Sequence, residues 1–169
     1  MKLLYSPRCT LKTSAKNLER SAFAIIKALG HELVAIDDAE EPTILNDLLS
    51  ALGAEVVDNP FKIECCGSYH TIQEKKLVSR RAYRITSYAV ERGADAMVLS
   101  CPLCRFNLDF RGKEAEKMFD GYKQIPIYYY TQLIAVALGL DPSVYGFDQH
   151  VVDPTLLLKK KGVLEVSSI

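Results

Sequence analysis

The sequence predicts an α/β fold: a three-layer arrangement with a parallel sheet of about four strands flanked by helices, and cysteines at the carboxyl ends of the strands. Three observations predict it. The chain has 169 residues, 49% hydrophobic and 25% charged, the ordinary mix of one globular domain of that length. Short apolar runs alternate with longer amphipathic stretches, the pattern of strand and helix laid down in turn. Two of the helical stretches close on a glycine (Gly30 and Gly53), and a strand-like run follows each directly.

Residues 2–5 read as a short strand stopped by Pro7. Ala15, Leu18, Ala22, Ile25, Ile26 and Leu29 form a helical stripe over 14–29, and Glu32 to Ile36 follows as a strand. Asp37 to Glu41 is an acidic turn, and Pro42 fits the first position of a helix. Ile44, Leu45, Leu48, Leu49 and Leu52 give that helix its buried face; Ala54 to Val57 is then strand-like, and Asn59-Pro60 marks a turn. Thr71 and Glu74 have capping-box spacing with Thr71 as N-cap, ahead of a helix that buries Val78, Ala82, Ile85 and Ala89 and ends near Gly93. Ala96 to Leu99 is a buried strand running into Cys101, and Pro102 opens a helix through about Phe110. A strand over 125–130, a helix over 131–138 closed by Gly139 and a C-terminal tail over 141–169 complete a single domain of residues 1–169. Within the tail, Lys159-Lys160-Lys161 reads as a solvated helix end. Strands alternating with helices in this way give the expected Rossmann-like arrangement.

Charge and hydropathy exclude several classes. Lys+Arg and Asp+Glu both number 21, so no net positive charge draws the chain to nucleic acid or anionic lipid. The opening apolar run is too short for a signal peptide. Ile125 to Leu140 is interrupted by Pro126, Thr131 and Gln132, and falls short of the roughly 20 residues a membrane span needs. The expected location is cytoplasmic, where thiols stay reduced.

Five cysteines then carry the chemistry: Cys9, the adjacent pair Cys65-Cys66 before Gly67, and Cys101-Pro102-Leu103-Cys104. In an open parallel sheet, ligands gather beyond the carboxyl ends of the strands. Cys9 follows the first strand, Cys65 and Cys66 follow the turn after the 54–57 strand, and Cys101 follows the 96–99 strand. Three separate segments therefore bring thiols to one edge, and helices starting after the second and third groups favour thiolate there. A structural zinc takes four ligands and leaves a fifth cysteine idle. A cubane iron–sulfur cluster is also usually served by four. Five thiols with two adjacent suit an atypical cluster better. Zinc with one spare thiol, and a dithiol redox pair at Cys101 and Cys104, remain as alternatives.

The combined pattern resembles the cysteine-rich CCG domain family, best represented by the B subunit of heterodisulfide reductase. The resemblance rests on Cys9, Cys65-Cys66-Gly67 and Cys101-Pro102-Leu103-Cys104, with 33 residues between Gly67 and Cys101. It extends to Tyr5-Ser6-Pro7-Arg8-Cys9 with Ala28-Leu29-Gly30, to Leu52-Gly53-Ala54-Glu55-Val56, to Asn107-Leu108, to Tyr130-Thr131-Gln132-Leu133 and to Ala137-Leu138-Gly139-Leu140. Two departures stand out: the gap from Cys9 to Cys65 is longer than the family's, and one motif is present where the full-length family member carries two.

The resemblance implies a non-cubane 4Fe-4S cluster ligated by Cys9, Cys65, Cys66, Cys101 and Cys104. It further implies an iron–sulfur subunit passing electrons to a disulfide or thiol substrate. Its partners would be a ferredoxin-like iron–sulfur subunit and a flavin subunit, or a second CCG-domain chain. A module of a lactate-, glycolate- or succinate-linked oxidoreductase is the family's other implication. Arg8, Arg105 and His70 are candidates to neutralise a cluster or substrate charge. The segment Asp141 to Pro154, including Gly146 to His150, also resembles the subunit and is expected to pack or dock, with His150 as a packing side chain rather than a ligand.

Overall fold

The computed structural model describes residues 2–6 and 44–164. Cys9, Arg8, the expected helix over 14–29, the strand over 32–36 and the acidic turn lie outside the described residues. Among the described residues, β1 (Lys2–Ser6), β2 (Glu55–Val57), β3 (Ala96–Leu99) and β4 (Ile127–Tyr129) pair in the order β2-β1-β3-β4, every pair parallel. Leu3 lies opposite Val56 on one side and Ala96 on the other, while Leu99 lies opposite Tyr129. A parallel sheet brings all its carboxyl ends to one edge, and that edge is where the cysteine-bearing segments leave β2 and β3.

The helices are α1 (Ile44–Ala51), α2 (Lys75–Glu91), α3 (Pro102–Phe106), α4 (Gly112–Ala115), α5 (Tyr130–Ala137) and α6 (Thr155–Lys160). Burial explains their placement. Every residue of β3 is fully inaccessible, and period-two alternation sends its side chains to opposite faces. Ala96 and Val98 pack with Leu45, Leu48 and Leu49 of α1, Leu133 and Ile134 of α5, and Leu158 of α6. Met97 and Leu99 pack with Ala82, Ile85 and Ala89 of α2, and with Leu108 and Cys104. The α/β class is thus present as a small parallel sheet with helices around it. Each large apolar side chain sealed in these clusters contributes about 1.5–3 kcal/mol, which is what holds the cysteine loops against the sheet edge.

Two expectations are corrected. Thr71 does not cap the long helix: α2 begins at Lys75, its N-cap is Glu74 with φ −118° and ψ 55°, and Ser68–His70 forms a short 3-10 turn beforehand. The cause is tertiary. The Thr71 hydroxyl donates to Asn107 Oδ1 (2.8 Å), and the Thr71 carbonyl accepts from Arg111 Nη2 (2.9 Å), so this threonine belongs to the neighbouring helix rather than its own. The helix opened by Pro102 also does not end near Phe110. It passes through a π-helical turn at Asn107–Arg111 and regains α geometry to Ala115. Asn107, Leu108, Asp109 and Arg111 of this turn are all buried.

The segment after α5 is packed rather than loose. Tyr128 donates its buried hydroxyl to the Pro154 carbonyl (2.5 Å), and Leu158 is completely enclosed. Lys161 at the end of α6 pairs with Asp95 at 2.9 Å, so one member of the lysine run is tied down.

Candidate functional site

Asn59 and Pro60 turn the chain out of β2. The Asn59 side chain accepts from Phe61 N (2.9 Å), and Pro60 opens a 3-10 turn over Pro60–Ile63 that delivers Cys65 and Cys66. Gly67 follows in the left-handed region at φ +80°. A Cβ there would meet Val78 and Arg81 only at ordinary 3.8 Å contact, so the backbone angle and not lack of space calls for glycine. Arg81 of α2 clamps the turn from the side: Nε donates to the Cys65 carbonyl (2.5 Å), and Nη2 pairs with Glu64 (2.7 Å).

From the other direction, β3 runs straight into Ser100 and Cys101. Cys101 is the N-cap of α3 in extended geometry (φ −112°, ψ 123°), with Pro102 pre-set for the first turn, and Cys104 lies one turn on. Cys66 and Cys104 meet: their sulfurs are 3.3 Å apart and both residues are buried. Cys65, Cys66, Cys101 and Cys104 are all thiols, and the 3.3 Å separation is far beyond the about 2.05 Å of a disulfide bond. Of the predicted site residues, then, the structure joins Cys66 to Cys104, sets Cys65 and Cys101 on the flanking backbone at the same sheet edge, and leaves Cys9 outside the described residues. Among the described residues, no group of three His, Cys, Asp or Glu side chains is gathered tightly enough to hold a metal ion.

Three polar side chains on these elements make contacts that local pattern does not reveal. Asn107, fully buried, donates from Nδ2 to Cys66 Sγ at 3.4 Å. Tyr129 donates to the Ser100 carbonyl next to Cys101 (3.0 Å). Burial, with smaller contributions from Tyr130 and Cys101, pushes its phenol up to about 12, so it remains a neutral donor at physiological pH. Asp109 is buried and accepts from Val151 N (2.9 Å) and Val152 N (3.2 Å), with His150 Nδ1 at 3.7 Å. The His150 ring is enclosed, its other nitrogen faces Gln132 at about 3 Å, and burial holds its pKa below the ordinary histidine value. His150 is accordingly a packing histidine, as expected. Arg105 donates to the Gln149 carbonyl (3.1 Å) at the surface. His70 is exposed and, with Cys65, Tyr69, Leu77 and Arg81, lines a cavity of about 360 Å³ beside the Cys65 turn.

The donor chemistry fits a thiophilic metal group. Two buried sulfurs at 3.3 Å are near the roughly 3.8 Å that two thiolates keep on a shared metal with bonds of about 2.3 Å. Cys66 sulfur also receives an N–H donor of the kind that tunes iron–sulfur centres. No helix among the described residues is long and apolar enough to cross a membrane.

Comparison with known proteins gives a consistent result. Residues 34–109 match the family model of the cysteine-rich domain CCG. The chain is 30% identical over 141 residues to the B subunit of a ferredoxin/F(420)H(2)-dependent CoB-CoM heterodisulfide reductase from Methanosarcina acetivorans, covering 79% of this chain and 44% of that protein. It is 27% identical over 148 residues to an 8-methylmenaquinol:fumarate reductase membrane anchor subunit from Wolinella succinogenes, covering 87% of this chain and 52% of the relative. A protein from Archaeoglobus profundus, named for its likeness to the heterodisulfide reductase B subunit, is 34% identical over 112 residues, covering 63% of this chain and 36% of its own. The chain thus spans about half the length, or less, of these curated relatives.

Proposed function

We propose that this chain, which carries a CCG cysteine-rich domain at residues 34–109 and resembles the B subunits of heterodisulfide reductases, is the iron–sulfur subunit of a heterodisulfide-reductase-like complex in the cytoplasm. The observation that carries the reading is the meeting of Cys66 and Cys104, 38 residues apart in sequence, as buried thiols at the carboxyl edge of a parallel sheet. Cys9, Cys65, Cys66, Cys101 and Cys104 would hold a non-cubane 4Fe-4S cluster, with the sheet covered on both faces in a Rossmann-like way behind them. When bound, such a group supplies one-electron chemistry and an iron open to a substrate sulfur.

The chain's own residues define the rest. Arg81 and Glu64 fix the Cys65-Cys66 turn, β3 and Pro102 fix Cys101 and Cys104, and Tyr129 offers only a neutral hydroxyl nearby. The cavity beside Cys65 gives a small thiol or disulfide an approach between Tyr69, His70 and Leu77. Reducing a disulfide to two thiols consumes two electrons and two protons, and this chain has one set of five cysteines. We assign a second redox centre to a partner: a ferredoxin-like iron–sulfur subunit and a flavin subunit, or a second CCG-domain chain.

A second reading is a non-catalytic electron-transfer module of another CCG-domain oxidoreductase. It is favoured by the relative named as a fumarate reductase anchor subunit, whose similarity covers 87% of this chain. Anaerobic purification with iron, sulfide and zinc quantified, followed by paramagnetic resonance with and without added thiol, separates the possibilities. About four irons per chain and a spectrum altered by thiol support the first reading; iron with a thiol-insensitive spectrum supports the second; stoichiometric zinc overturns both. Cys66→Ala should lose the iron and keep a folded chain, and unchanged iron content in that variant would refute the ligand assignment.

A further inference from the structure

The geometry points to Asn107 as a positioning residue that aims an N–H at Cys66 sulfur and thereby sets the electron affinity of whatever the thiols hold. This goes beyond the ligand assignment, although its effect on potential rests on the cluster reading; the contact itself does not.

The argument begins with which way the amide faces. An asparagine side chain presents an acceptor and a donor of nearly equal shape, and only its neighbours decide between them. Thr71 and Arg111 together favour one orientation here. A guanidinium has donors only, so the Nε contact to Thr71 Oγ1 (3.3 Å) makes that oxygen an acceptor. The Thr71 hydroxyl proton is then free to point at Asn107 Oδ1, 2.8 Å away. With Oδ1 taken up by Thr71, the Nδ2 group faces Cys66 Sγ at 3.4 Å. Arg111 is itself immobilised by Glu114 Oε2 (2.6 Å) and by the Thr71 carbonyl, with the Phe110 ring 5.2 Å from its guanidinium carbon. A chain of fixed polarity, Arg111 to Thr71 to Asn107 to Cys66, thus ends on sulfur.

This accounts for features that are otherwise costly. Burying an asparagine completely, turning the helix through a π segment and withholding Thr71 from its capping position each cost stability. All three accompany the approach of this one N–H to this one sulfur. A hydrogen bond to sulfur stabilises negative charge there, and charge on the sulfurs grows on reduction, so the donor raises the potential.

The test has two arms on the full chain. In the metal-free protein, the Asn107 side-chain amide resonances, assigned by their loss in Asn107→Asp, should move when Cys66 is replaced by Ala; resonances that stay in place overturn the contact. In the anaerobically loaded protein, Asn107→Asp exchanges the donor for a carboxylate, and the one-electron reduction equilibrium should fall at least tenfold, about 59 mV in midpoint potential. Should Asn107→Asp lose the cluster, Thr71→Val removes the clamp and should lower the potential in the same direction by less. A loaded variant with the wild-type potential overturns the tuning role while leaving the cluster reading intact. A wild-type chain that takes up no iron overturns the cluster reading and the tuning role, and leaves the amide arm to decide the contact.

Discussion

Replacing Asp109 by Ala should be among the most damaging single changes outside the thiols. The carboxylate is 2% exposed and accepts two backbone N–H groups, from Val151 (2.9 Å) and Val152 (3.2 Å). Hydrogen bonds to a charged group contribute about 1.5–3 kcal/mol each, and a buried N–H left without an acceptor costs about 1–3 kcal/mol. Removing the carboxylate also removes the cost of burying it, which offsets part of that loss. The expected destabilisation is about 3–5 kcal/mol, and in a chain of this length each kcal/mol moves the melting temperature by about 2–4 °C. Asn in the same place keeps one acceptor and should lose about half as much. Chemical denaturation of the metal-free chain measures both, and amide exchange at Val151 and Val152 should quicken in the Ala variant before the rest of the core responds. A loss under about 1 kcal/mol with unchanged exchange at those two amides would show that Asp109 does not dock the C-terminal segment.

Other outcomes follow from the same contacts. Burial lowers the His150 pKa despite the opposing pull of Asp109, Asp148 and Asp153, and Arg105 adds to the lowering. The unfolded chain therefore takes the proton first. Stability from this group is complete above about pH 6.5 and falls as pH drops toward the folded pKa, by at most about 1.4 kcal/mol per pH unit; His150→Phe should flatten denaturation midpoints just below that pH, and an unchanged slope counts against the assignment. Gly67→Ala should cost about 1–2 kcal/mol because φ is +80°, a penalty visible in denaturant midpoints and absent if the turn relaxes freely. Tyr128→Phe strands the Pro154 carbonyl in the core and should cost about 1–3 kcal/mol, with α6 fraying first in amide exchange.

Where local pattern and tertiary demand agree, the sequence was legible. Leu45, Leu48 and Leu49 sit where helical spacing puts them, and the Ala96–Leu99 strand runs directly into Cys101 as its apolar run requires. Cysteine spacing placed Cys66 and Cys104 at the sheet edge where they meet, because a Cys-Cys-Gly turn and a Cys-x-x-Cys helix start need little context. Thr71 shows where this breaks down: its capping-box spacing with Glu74 is sound, yet a partner 36 residues away claims the hydroxyl. The contacts of Asn107, Asp109 and His150 were not legible for a similar reason: their partners are distant in sequence, and nothing in the local pattern announces the π turn that carries Asn107 and Asp109. The C-terminal segment was expected to pack on resemblance alone, and its anchors, Leu158 and the Pro154 carbonyl, were not legible because they are single contacts and not a periodic stripe.

The enclosure of β3 on both faces has one further effect. Cys101 hangs from a strand whose every residue is enclosed, two residues past its end, and Cys104 leans on the same packed wall. In the proposed iron–sulfur reading, a mounting that scarcely yields would let an electron arrive or depart with little rearrangement of atoms, and the tightness of an ordinary-looking strand would bear on how fast charge passes.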